Sequence, residues 1–89
     1  MKLKVKKMFE MSAKKFGTVK YEGVELALRQ NAYPVDWSYG KYFHAAAMDR
    51  EGNLWDVIWY PESNTDYVAN WDKPDRAVMV DKGYYLVKY

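Results

Sequence analysis

Val5, Met8, Phe9, Ser12, Ala13 and Phe16 recur at intervals of three and four, with Lys6, Lys7, Glu10, Lys14 and Lys15 on the other faces. That spacing predicts an amphipathic helix over residues 1–17. Gly17 directly after Phe16, with two lysines in the preceding turn, predicts where it stops. Leu3 and Val5 also alternate with Lys2, Lys4 and Lys6, so an edge strand over residues 2–6 feeding a shorter helix is the competing reading. From Thr18 the period changes. Val24, Leu26 and Leu28 alternate with Glu25, Ala27 and Arg29 behind a Glu22-Gly23 turn, which predicts a hairpin over 18–28 whose second strand is half buried. Gly23 supplies the positive φ such a turn demands.

Residues 31–41 hold Asn31, Pro34, Asp36, Ser38 and Gly40 among Tyr33, Trp37 and Tyr39, and read as a loop pinned by rings. The strongest local signal follows. Residues 42–48 and 54–60 are apolar arms around Asp49-Arg50-Glu51-Gly52-Asn53, a hairpin with a glycine-containing loop. Both arms are apolar on both faces over much of their length, so they are expected to be central strands with the helix or another layer covering one side. Pro61 ends the second arm. Residues 61–75 read as a long polar loop, with one helical turn begun by Asp66 and anchored by Trp71, and loops of this length are functional or mobile. Residues 76–80 and 84–88 around Asp81-Lys82-Gly83 suggest a third hairpin, although Tyr84, Tyr85, Leu86 and Val87 do not alternate.

The expected fold is therefore one α+β domain over residues 1–89. A basic N-terminal helix (1–17) packs on a small, mostly antiparallel sheet of hairpins (18–89), with closure into a barrel-like form as a variant. A chain of 89 residues has room for one small core. Cysteine is absent and histidine occurs once, which removes disulfides, thiolate ligands, cysteine nucleophiles and histidine-rich metal sites. No metal or other cofactor is expected. Four tryptophans, nine tyrosines and three phenylalanines make up 18% of the chain. Large rings help a small core outweigh chain entropy, but this many exceed the interior places, so some are expected at the surface.

Charge is unevenly spread. Residues 1–20 carry a net +6 and residues 21–89 a net −4, so either the two segments attract each other within the fold or the basic one meets an anionic partner. No apolar run reaches 18 residues, and the charged start leaves no signal-peptide core; a cytoplasmic location with no membrane span is expected. A lysine-rich amphipathic helix could lie on an anionic membrane, but its apolar face is needed to cover the sheet.

Candidate chemistry is sparse. His44 shares its strand face with Tyr42, Ala46 and Met48 and reads as structural: a general base needs a partner within about 3 Å, and no serine or cysteine is placed beside it. The carboxylate pairs Asp49/Glu51, Glu62/Asp66 and Asp72/Asp75 have no cleft assigned by spacing. The run from Asp49 to Asp56 suggests a calcium loop, but its glycine is fourth rather than sixth, so a turn is the better account. No G-x-G or phosphate-loop motif occurs. No catalytic residue is assigned and an enzyme is not expected.

Two binding readings remain. Trp37, Tyr39, Tyr67 and Trp71, in or beside loops, form the expected protein-binding surface, for a protein partner or self-association. The alternative is nucleic-acid binding through Lys4, Lys6, Lys7 and Lys14, with phosphates meeting lysines and bases stacking on exposed rings. A purely structural or self-associating domain is the third possibility. The strand at Val24 to Leu28, the glycine-turn hairpin ending in Trp59-Tyr60, and Trp71, Asp72, Pro74 and Val78 together resemble small bacterial proteins of unknown function carried on prophages or plasmids. The likeness covers roughly residues 18–80 and carries no site. It implies an accessory protein that binds a host or phage component.

Overall fold

The computed structural model describes residues 2–37, 40–62 and 69–87, with the backbone alone at residues 2, 3, 37 and 87. The elements in order are α1 (Lys2–Phe16), β1 (Thr18–Tyr21), β2 (Val24–Leu28), β3 (Tyr33–Trp37), β4 (Gly40–Met48), β5 (Leu54–Trp59), β6 (Arg76–Asp81) and α2 (Tyr84–Val87). The architecture is α+β: an N-terminal helix against an antiparallel sheet. The six strands follow the order β1-β2-β4-β5-β6 with β3 also on β4, and the sheet is open rather than closed into a barrel. Helix, not strand, occupies residues 2–6.

α1 stops where the sequence expects. Gly17 takes φ +90°, and its N–H reaches the Ala13 carbonyl at 2.9 Å, closing the last turn in the way a glycine cap does. In the β1–β2 hairpin both turn residues are left-handed, Glu22 at φ +49° and Gly23 at +83°, the geometry that matches strand twist. β4 and β5 are the central pair, in register from Phe43↔Trp59 to Met48↔Leu54.

Two expectations are corrected. Residues 33–37 are not loop but strand, antiparallel to β4 from Tyr33↔His44 to Trp37↔Gly40. Pro34 is tolerated because β3 has a ladder on one side only, and a proline can face the open side. β2 and β3 lie end to end on one flank of β4. Across the break Arg29 N–H donates to the Ala46 carbonyl and Ala46 N–H donates to Gln30 Oε1, both at 2.8 Å, so a side chain stands in for the missing ladder rung. The third hairpin is also absent: residues 84–87 form a helical turn, and β6 pairs with β5. A tertiary contact decides it. Tyr85 N–H donates to the Gly52 carbonyl at 2.9 Å and Gly83 N–H to Asn53 Oδ1 at 2.7 Å, which holds the tail against the β4–β5 turn.

The period-2 alternation of β4 separates two cores. Phe43, Ala45 and Ala47 join Val19, Leu26, Val57, Trp59 and Ala69 on one face. On the other, Met48 and Ala27 meet Val5 and Phe9 of α1 and Tyr85 of α2. The helices cover only the Met48 end of that second face. Among the described residues, no element lies over the half that carries His44.

Candidate functional site

The uncovered half-face is built by register. Tyr33 stands opposite His44, His44 opposite Ile58, and Ile58 opposite Arg76, one row across four strands. Directly opposed residues of antiparallel strands point to one side, with Cβ atoms about 4.5–5.5 Å apart. Asp56, two residues from Ile58, lies on the diagonal from His44. The result is a hydrogen-bonded chain: Tyr33 Oη to His44 Nδ1 at 2.8 Å and His44 Nε2 to Asp56 Oδ1 at 2.8 Å. The Tyr33 and His44 rings meet edge to face, 5.2 Å apart at 79°. The His44 side chain is 19% exposed and that of Asp56 45%. A shallow depression of about 200 Å3, lined by Tyr42, Ile58, Tyr60 and Arg76, adjoins the row.

Sequence reasoning missed Tyr33 as a partner of His44 because its segment was read as loop. The signal was present: Tyr33, Val35 and Trp37 alternate with Pro34 and Asp36.

The other surface of note is the outer edge of β6. Val78, Met79 and Val80 are 45%, 42% and 53% exposed, although the strand pairs with β5 along its inner side. Of the residues singled out as a protein surface, Trp71 is exposed yet rooted. Its ring meets those of Phe43 and Trp59 at 5.0 and 5.6 Å, and its carbonyl accepts the Trp59 indole N–H at 3.2 Å. Trp37 ends β3 opposite Gly40; its side chain, Tyr39 and Tyr67 lie outside the described residues, as does the helical turn expected from Asp66. Lys4, Lys6, Lys7 and Lys14 are all exposed on α1, and among the described residues none of them forms an ion pair.

The loop that resembles a calcium site is a turn with its carboxylate already used. Asp49 is 6% exposed. It accepts the backbone N–H of Glu51 (2.9 Å) and Asn53 (3.0 Å), the Asn53 amide (2.8 Å) and the Trp55 indole N–H (2.9 Å). Burial alone would raise its pKa, but the hydrogen bonds from Asn53, Trp55 and Glu51 outweigh burial and hold it below the ordinary 3.8. Among the described residues no three acids or histidines are grouped to hold a metal ion, and no helix is long and apolar enough to cross a membrane.

No family model, no curated protein and no solved structure matches the chain.

Proposed function

We propose that the chain is a non-enzymatic protein-binding module that takes up an extended segment of a partner protein along the outer edge of β6. The carrying observation is the contrast among strand edges. β1 is four residues long, with Thr18 and Lys20 exposed and Val19 buried. β3 carries Pro34 and Asp36, both exposed. These are the usual devices against stray pairing. β6 is six residues long and keeps three consecutive apolar side chains in solvent between Arg76 and Asp81. An apolar edge with unpaired backbone groups favours strand addition, in which main-chain bonds give affinity and alternate side chains give specificity. An accessory role on a prophage or plasmid accords with such a module.

The test is selection of extended peptides from a displayed library, followed by NMR of the labelled protein. Selected peptides are expected to shift the amides of residues 76–81 and to lose binding at least tenfold to Val78→Lys/Val80→Lys. Shifts centred on Trp71, or unchanged affinity for the lysine variant, would overturn the assignment to β6. Light scattering at working concentration is expected to give a monomer; a dimer abolished by the same lysines would make the occupant a second copy.

A second reading, nucleic-acid binding through Lys4, Lys6, Lys7 and Lys14, draws support from the exposure of these lysines and their lack of ion partners among the described residues. Changing all four to alanine should then cause a strong, salt-sensitive loss of oligonucleotide binding. No detectable binding by the unaltered protein at ~50 mM salt removes this reading.

A further inference from the structure

With a neutral His44 ring, the Tyr33–His44–Asp56 chain has a single arrangement of protons. A carboxylate oxygen accepts and cannot donate, so the His44 Nε2 that lies 2.8 Å from Asp56 Oδ1 carries a hydrogen. The neutral ring then has its lone pair at Nδ1, 2.8 Å from Tyr33 Oη, and the phenol must donate to it. The tautomer follows from the bonding pattern alone. Tyr33 thus holds its proton against a base and keeps its oxygen lone pairs free, on a residue 43% exposed. Nucleophile, base and orienting carboxylate in this order are the arrangement that activates a weak hydroxyl.

We propose that Tyr33 is a base-activated nucleophile that accepts an acyl group from an activated ester, with His44 as the base and Asp56 as a positioning residue. Tyr33 Oη attacks the acyl carbon and forms the new C–O bond while its proton passes to His44 Nδ1. The bond from the acyl carbon to the leaving oxygen then breaks, and the leaving oxygen takes that proton from the imidazolium. Ester and phenol become tyrosyl ester and alcohol, with no other reactant. Asp56 keeps the ring in place and stabilises its charged form without being protonated. The adjoining depression, lined by Ile58, Tyr42, Tyr60 and Arg76, suits the aryl or alkyl part of an ester.

The molecule supplies its own control. Tyr60 is 44% exposed, like Tyr33, and lies next to the same depression, but among the described residues its hydroxyl has no partner. The experiment treats the intact protein with 4-nitrophenyl acetate and measures acetylation at Tyr33 and Tyr60 by peptide mass spectrometry. General-base assistance is worth roughly 10²–10⁴ in rate, so Tyr33 should be labelled at least ~10-fold faster than Tyr60. The ratio should fall to about one in His44→Gln, and Tyr33→Phe should abolish the fast phase of nitrophenolate release. The titratable and charged groups around the His44 ring are Tyr33 on β3, Tyr42 beside it on β4, Asp56 on β5 and Arg76 on β6. In the unaltered protein Tyr33 labelling should level off with rising pH, whereas in Asp56→Asn it should climb steadily with hydroxide. A purely structural Asp56 would leave the pH profile unmoved. Circular dichroism checks each variant, and if His44→Gln does not fold, the half-exposed Asp56→Asn carries the ratio test. Equal labelling of the two tyrosines in the unaltered protein, or a ratio that survives both substitutions, overturns the proposal.

Discussion

At the turn end of the β4–β5 hairpin Asp49 accepts the indole N–H of Trp55 at 2.9 Å; at the open end Asp56 accepts the imidazole N–H of His44 at 2.8 Å. The two contacts are nearly the same in length and in chemistry. What differs is how much of each carboxylate is committed. Asp49 receives four protein donors and is 6% exposed, so nothing remains to bind anything else. Asp56 has a side chain 45% exposed, and its ring partner passes the hydrogen bond on to a phenol. A saturated carboxylate stabilises a fold, and an unsaturated one whose partner can change protonation is available for chemistry. One hairpin thus separates the two tasks along its length.

The sharpest break in that comparison is Asp49→Ala. It strips the acceptor from two backbone N–H groups, one amide and one indole, each costing about 1–3 kcal/mol if left unpaired. Because the turn opens enough for water to reach some of them, the expected loss is about 3–5 kcal/mol, read by denaturant or thermal unfolding. A loss under about 1 kcal/mol would show that the carboxylate does not organise the turn. Gly52→Ala comes next. Gly52 sits at φ +89°, and an added Cβ would lie 3.1 Å from Leu86 Cγ and 3.2 Å from Val5 Cγ2. Left-handed strain and crowding together predict a loss of about 2–4 kcal/mol. The same substitution at Gly23, where nothing lies within 4 Å of the added atom, bears the strain alone and should cost less.

The sequence revealed the two ends unequally. α1 was legible from its spacing of three and four beyond residue 6 and from the glycine cap at position 17, the first hairpin from its alternation behind Glu22-Gly23, and the second from two apolar arms around a glycine-containing turn. The turn around Asp49 was legible as a turn, but four donors converging on one carboxylate is a three-dimensional fact that no spacing encodes. β3 was missed because Pro34 and Gly40 were weighed as breakers, and with it went Tyr33, the residue that turns a solitary histidine into a relay. The chain end failed for another reason. Tyr84, Tyr85, Leu86 and Val87 form a short unbroken apolar run, which periodicity cannot assign to strand or helix; the Gly52 carbonyl and Asn53 side chain settle it from outside the segment. With the tail folded into α2, the edge of β6 has no strand from residues 84–87 beside it.

Acid sharpens the comparison at intermediate size. Asp49 has a folded pKa below the ordinary 3.8. Its contribution is therefore complete above the unfolded value and is lost as the pH falls through the lower, folded one, because there the unfolded chain binds the proton first. Asp49→Asn removes the charge while keeping the shape. The stability difference between the protein and this variant should be largest near neutrality and should shrink as the pH drops below 3.8. Equilibrium unfolding from pH 7 to 2.5 measures it, and a difference that does not change with pH would mean that the donors do not favour the ionised form.

The smallest effect belongs to the open end, and its smallness is the point. Asp56→Asn alters one half-exposed member of a pair, and such pairs contribute about 0–1 kcal/mol because solvent screens them and holding the side chains costs entropy. Unfolding should therefore register less than about 1 kcal/mol, against several for Asp49→Ala at the other end of the same two strands. Labelling of Tyr33 should nevertheless drop, since the asparagine amide can turn a donor toward Nε2 and force the ring into the tautomer whose Nδ1 already bears a hydrogen. A variant that keeps its stability and loses its reactive phenol is what an uncommitted carboxylate implies. If instead Asp56→Asn destabilised the fold as much as Asp49→Ala, the His44 pair would be a second structural clamp and the division of labour along the hairpin would disappear.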